Sequence, residues 1–175
     1  MRAFIIGRFQ PFHLGHTMMT VELAKRYDSI IIGIGSAQES HTPENPFTAG
    51  ERHLMISNTL ESRKIYNFYL VPIEDIHRNA LWVAHIESIA PPFTNVYAGN
   101  PLTKRLFEER GYRVETPILY DRGKYSGREV RRRILNNENW QELVPEEVVK
   151  VINEIDGINR IREISKSDEM TSSFP

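Results

Sequence analysis

Short apolar runs alternate with stretches of helical spacing over the first 120 residues of the chain. Ala3-Phe4-Ile5-Ile6 reads as a buried strand. Ser29-Ile30-Ile31-Ile32-Gly33-Ile34-Gly35 is a continuous β-branched run, as suits a strand covered on both faces. Tyr66 to Ile73, Asn95-Val96-Tyr97-Ala98-Gly99 and Tyr112-Arg113-Val114-Glu115-Thr116 complete five candidate strands. Helical patterns lie between them at about 16–27, 48–62, 79–90 and 101–110, and Leu14, Met18 and Val21 share a face at the first. This alternation predicts an α/β protein with a doubly wound parallel sheet and helices on both faces. Ligands of such sheets bind beyond the carboxyl ends of the strands, where the order reverses, and the turns at Gly7, Gly35 and Gly99 lie at that edge.

From about residue 126 the pattern is wholly helical, to about 136, then from Pro145 to Glu154 and from Ile158 to Ser165. One domain over 1–166 is expected, a sheet part over about 1–120 and a helical part over about 126–166, with 167–175 a frayed tail.

Composition narrows the partners. The 175 residues are 40% hydrophobic and 26% charged, with a net charge of −1, which argues against broad nucleic-acid binding. No apolar stretch approaches the roughly twenty residues that cross a bilayer, so no membrane is expected. The first residues enter a core strand at once, leaving no room for a signal peptide. The absence of cysteine excludes disulfides and thiolate metal sites and fits an intracellular, cytoplasmic protein. Any anion site must be local.

One such site is legible. Gly7-Arg8-Phe9-Gln10-Pro11-Phe12-His13-Leu14-Gly15-His16 leads from the first strand into the first helix. Gly7 permits a tight turn, Pro11 is expected to hold the loop extended, and two histidines and an arginine arrive at a helix N-terminus that favours an anion. The alternative, an HxxH metal pair, lacks clustered further ligands; His41, His53, His77 and His85 are scattered singly and read as structural.

Tyr125-Ser126-Gly127-Arg128-Glu129-Val130-Arg131 opens a later helix as a capping box, Ser126 with Glu129, and Arg131 one turn on can aim a guanidinium at a phosphate. Arg132 and Arg133 extend the basic run, where either one of them reaches the site or both form a solvated face. Thr48 to Glu51 forms a second capping box, and the loop over 36–46 either folds over a nucleotide or is a plain surface connection. Asn79 and Trp82 share a helix face, offering a carboxamide partner and a flat ring surface, although Trp82 also suits a core. Asp75 either accepts from an amide or ribose hydroxyl or caps that helix.

His13-Leu14-Gly15-His16 resembles the (H/T)xGH signature of the nucleotidylyltransferase superfamily, and Ser126 and Arg131 match the serine and arginine of its ISSTxxR motif, with Arg128 where that motif has threonine. GRFQPFHLGH, GSAQESH, NPFTAGER, IEDIHRNALWV, PPF, YAGNP and YSGREVRRR together resemble the archaeal-type nicotinamide-nucleotide adenylyltransferases over most of residues 3–155. The resemblance implies a Rossmann-like fold and the condensation of nicotinamide mononucleotide (NMN) with ATP to give NAD and pyrophosphate. It implies catalytic His13, His16 and Arg131, with Gly7, Arg8, Phe9, Gly99, Ser126 and Gly127 completing the ATP site. Ser36, Asp75, Ile76, Asn79 and Trp82 would hold NMN. It also implies Mg²⁺ carried mainly by substrate phosphates, with no protein metal site, and a homo-oligomer, a hexamer. Glu44 stands where some relatives have a phosphate-binding arginine. The competing readings are transfer to phosphopantetheine or flavin mononucleotide, a cytidylyl transfer, a non-catalytic ATP sensor, and a class I aminoacyl-tRNA synthetase fragment.

Overall fold

The computed structural model describes residues 1–117, 121 and 123–172. Five strands, β1 (Arg2–Gly7), β2 (Ser29–Ile34), β3 (Phe68–Pro72), β4 (Asn95–Tyr97) and β5 (Arg113–Glu115), form a wholly parallel sheet in the order β3-β2-β1-β4-β5. The helices α1 (Leu14–Arg26), α2 (Ala49–Ser62), α3 (Asn79–Ile89) and α4 (Pro101–Glu109) connect them. The expected doubly wound sheet is present. The order reverses between β1 and β4, which neither length nor spacing in the sequence reveals.

Period-two alternation explains why β2 reads as unbroken apolar sequence. Ile30, Ile32 and Ile34 join Ala3 and Ile5 of β1 in a core shared with α1 and α2, while Ile31 and Phe4 face a second core with α3 and α4. In that second core Phe4 stacks on Phe93 at 4.7 Å and meets Phe107 at 5.6 Å. The larger core is closed by α5 (Gly127–Leu135), α6 (Glu146–Glu154) and α7 (Gly157–Ser172), through Val130, Ile134, Val148, Ile152 and Ile161.

Three expectations are corrected. The last helix begins at Gly157 and runs to Ser172, well past Ser165 and into the segment expected to fray; residues 173–175 lie outside the described ones. Tyr66 is excluded from β3 and is largely exposed. Most informative is α1. Its inward residues are Thr17, Thr20 and Leu23, not the Leu14, Met18 and Val21 face. Thr17 Oγ1 donates to the His13 carbonyl (3.2 Å) and Thr20 Oγ1 to that of His16 (2.7 Å), so both hydroxyls are satisfied inside the helix and tolerate burial. Leu14, Met18 and Val21 instead line a shallow groove on the outer face with Tyr125.

Candidate active site

The carboxyl ends of β1 and β4 diverge at the reversal, and a cleft of about 600 Å³ opens there. The β1–α1 loop contributes Arg8, Phe9, Gln10, His13, Gly15 and His16 to its wall. The turn after β4 gives Gly99 and Asn100, and the start of α5 gives Ser126, Gly127, Arg128 and Arg131. The loop after β2 reaches across with Pro43 and Glu44, so it is part of the cleft and not a plain connection. Gly7 lies behind the wall; a Cβ there would stand 2.9 Å from the Phe9 ring.

The two histidines cap their own helix. His13 Nδ1 accepts from the His16 amide (3.3 Å), and the His13 amide donates to His16 Nδ1 (3.4 Å). This is a capping box made from two imidazoles, a geometry that sequence rules reserve for Ser, Thr, Asp and Asn with Glu or Gln. It folds the rings together at 3.6 Å and 19°, and the space comes from Gly15, where a Cβ would meet the His13 ring at 3.2 Å. Phe9 lies edge-on to His16 at 4.8 Å. With both Nδ1 atoms accepting, each neutral ring carries its proton on Nε2, the nitrogen left for a ligand. Burial lowers His13 to about 4, and burial followed by the neighbouring His13 holds His16 well below its ordinary value. At neutral pH the pair presents two neutral donors.

Cations outnumber carboxylates around them: Arg8, Arg128 and Arg131 line the cleft with Glu44. Arg131 Nη1 donates to the Gln10 carbonyl at 2.5 Å, and burial, then the charge of Arg8, lowers it to about 10, leaving it charged at neutral pH. Gly127 is required by contact: a Cβ there would be 2.7 Å from the Gln10 oxygen. Ser126 Oγ accepts from the Glu129 amide (3.2 Å), but Glu129 does not reach back as expected. Its carboxylate is taken by Arg132 and Arg133, which also hold Glu138 and Glu142, so neither arginine lines the cleft; Arg132 is exposed as expected and Arg133 is half-buried. Gln10 and Pro11 form a turn with a cis peptide between them, in place of the extended segment expected.

Arg52 is the residue whose role sequence reasoning missed. Its side chain is wholly buried (0% exposed), yet no carboxylate bonds it. Nη1 donates to the carbonyls of Arg8 (2.8 Å) and Gly35 (2.7 Å), Nη2 to Ser36 (3.1 Å) and Nε to Thr48 (3.2 Å). One guanidinium thus joins the ends of β1 and β2 to the start of α2. Thr48 and Glu51 form the expected capping box, and Glu51 also pairs with Arg160 of α7 at 2.7 Å. Gln10 adds a second clasp, exchanging bonds of 2.9 Å with both backbone groups of Phe47.

Ser36, Asp75, Ile76, Asn79 and Trp82 are absent from the wall of the histidine cleft. Ser36, at φ 47°, donates from Oγ to Asp75 Oδ2 (2.6 Å), and Gln38 accepts from the Asp75 amide at 3.0 Å, tying the loops after β2 and β3. Asp75 does not cap α3, whose N-cap is Arg78. Ile76 is half-buried, and Asn79 is exposed at the first position of α3. Trp82 is half-buried one turn on, against Phe107 at 5.8 Å, so its core reading holds for part of the ring.

A cleft lined by paired histidines and arginines at the reversal of a 3-2-1-4-5 sheet suits a nucleotidyltransferase, and the profile of the cytidylyltransferase-like family matches residues 4–133. The nicotinamide-nucleotide adenylyltransferase of Thermoplasma volcanium is 58% identical over 168 residues, 96% of this chain and 94% of that one. That of Picrophilus torridus is 57% identical over 169 residues, 97% of this chain and 100% of that one. This chain belongs to the nicotinamide-nucleotide adenylyltransferase family. Among solved structures, a bifunctional NMN adenylyltransferase/ADP ribose pyrophosphatase from Francisella tularensis, complexed with AMP and a manganese ion, superposes with a TM-score of 0.77 at 18% identity. The match covers 99% of this chain and 56% of that one, and shows the shared fold.

Two outcomes follow from the burial of these groups. Replacing Arg52 with Met leaves four carbonyls short of a donor and should cost on the order of 3 kcal/mol in urea unfolding; a loss under about 1 kcal/mol would show that they find other donors. For His13 the unfolded chain binds the extra proton between pH 6.5 and about 4, so stability should rise with pH across that window. The rise attributable to His13 is about 3 kcal/mol, read as the difference between wild type and His13→Asn in unfolding at successive pH values. Parallel curves would place His13 in water.

Proposed function

We propose that this chain condenses NMN with ATP to give NAD and pyrophosphate, with the histidine cleft as the triphosphate site. The observation that carries the reading is the pair of stacked, neutral histidines facing Arg8 and Arg131 across a helix N-terminus. A phosphate oxygen of NMN attacks the α-phosphorus of ATP in line, and the bond to the β-phosphate oxygen breaks. The nucleophile is already anionic near neutral pH, so the step needs no general base. Positioning and charge stabilisation do the work. His16 donates from Nε2 to the α-phosphate oxygens as their charge grows, while His13, Arg8 and Arg131 hold the departing pyrophosphate. Gly7, Phe9, Gly99, Ser126 and Gly127 shape the pocket for the adenosine and its phosphates.

Ser36, Asp75, Ile76, Asn79 and Trp82 are the proposed NMN site. The Ser36–Asp75 bond supports it by bringing the loops after β2 and β3 together beside the cleft. Trp82 would offer the part of its ring that Phe107 leaves uncovered.

Glu44 is the one carboxylate among the described wall residues, and no described cluster of three His, Cys, Asp or Glu is placed to hold a metal. That donor set fits a divalent ion, Mg²⁺ in this proposal, that arrives on the substrate phosphates and needs few protein ligands. Such an ion neutralises charge on the triphosphate. No described helix is long and apolar enough to cross a membrane, and cysteine is absent, consistent with a place in the cytoplasm. The outward apolar stripe of α1 supports a homo-oligomer, which we take as a hexamer.

Purified protein given ATP, Mg²⁺ and NMN should form NAD, followed through a coupled dehydrogenase. His16→Ala should lower turnover roughly 10²–10³-fold with its circular dichroism unchanged; unaltered turnover would remove His16 from the mechanism. Sedimentation at micromolar concentration should give a single assembly of six chains, and a monomer would dismiss the α1 stripe as an interface.

A further inference from the structure

Helix α5 carries four arginines within six residues, and the structure sorts them. Arg132 is held by Glu129 (2.8 Å) and Glu138 (2.6 Å), and Arg133 by Glu129 (2.9 Å) and Glu142 (2.6 Å). Glu129, the acid beside Arg128 in the chain, is therefore committed elsewhere. Arg131 sits deeper, half-buried, with one nitrogen on the Gln10 carbonyl. Arg128 is exposed, lines the same cleft, and has no hydrogen bond or ion pair among the described residues. It stands three residues before Arg131, so the two guanidiniums share a face of α5, one deep and one at the mouth. The close approach of Gly127 to Gln10 presses this turn against the phosphate loop.

A nucleotidyl transfer asks for cations in that order. The α-phosphate belongs beside His16, where water is excluded, and the leaving group extends from His13 and Arg131 toward the opening. We propose that Arg128 is a further substrate-binding residue that grips the β- and γ-phosphates of the triphosphate and holds the pyrophosphate as it departs. Its planar fork suits two phosphate oxygens at once. As the bond from the α-phosphorus to the bridging oxygen breaks, the electron pair passes to pyrophosphate, where this guanidinium meets it. The inference rests on the nucleotidyl-transfer reading of the cleft.

The test is calorimetric titration of inorganic pyrophosphate and, separately, of AMP into wild type, Arg128→Thr and Arg128→Lys. Loss of one charge-assisted contact should weaken pyrophosphate binding about tenfold in Arg128→Thr, with partial recovery in Arg128→Lys and no change for AMP. In turnover, KM for ATP should rise by a similar factor while KM for NMN holds. Equal pyrophosphate affinity in wild type and Arg128→Thr would overturn the proposal. So would an equal loss for AMP and pyrophosphate, which is the mark of a general field. Failure of the parent reading looks different: wild type would make no NAD, while the pyrophosphate titration would still report on Arg128.

Discussion

A buried arginine with no carboxylate partner holds the working edge of this sheet together. A parallel sheet leaves its strand ends with carbonyls that have run out of ladder partners, and here those of Arg8, Gly35 and Ser36 meet at one point. Arg52 supplies donors to all three and to Thr48, so the loops after β1 and β2 are fixed relative to α2. Its cost is visible: burial, then the charge of Arg8, lowers its proton affinity to about 10, still far from neutralising it. The same Arg8 charge depresses Arg131. The edge therefore carries an excess of fixed positive charge in a low-dielectric cleft, an arrangement that a polyphosphate relieves.

The clasp between Gln10 and Phe47 and the bond from Ser36 to Asp75 extend the same logic outward. Each ties one strand-end loop to the next, across 37 and 39 residues of sequence. Left-handed backbone at Phe9 and Ser36 falls where these ties are densest, as strained residues persist only when their surroundings over-determine them. The site is thus a set of loops whose positions follow from carbonyls needing donors.

The sheet was legible because its cause is local. Five apolar runs bounded by turn residues imply strands, and the isoleucine run of β2 implies burial on both faces, which Ile31 and Ile32 then divide. The loop after β1 stood out because glycine, arginine and histidine each have a distinct chemical use there, and the structure brings those residues to one cleft. What was not legible depends on partners far along the chain. An arginine at position 52, in a helix of mixed polarity, looks solvent-facing until the carbonyls that surround it are known. The inward face of α1 was misjudged because threonine counts as polar in a pattern, yet hides its hydroxyl by returning it to the preceding turn. Of the two readings open for Asp75, the helix cap fails because its carboxylate accepts from Ser36, a partner 39 residues away. Spacing put Asn79 and Trp82 on one helix face, but assigning them and Ser36, Asp75 and Ile76 to NMN came from resemblance, since exposure at Asn79 and core packing at Trp82 do not mark a site by themselves.

The mutual cap formed by His13 and His16 changes what the HxGH signature means. Each ring secures an amide at the start of α1, so the pair has a structural duty that persists whether or not any nucleotide is turned over. A descendant that lost catalysis would still be under pressure to keep both imidazoles and the glycine between them, because the helix start is built from them. Retention of the signature in a distant chain is therefore testimony about architecture. In such a chain, evidence of living chemistry has to come as well from residues with no such duty, above all the guanidiniums of Arg8 and Arg131 that face the cleft beside the pair.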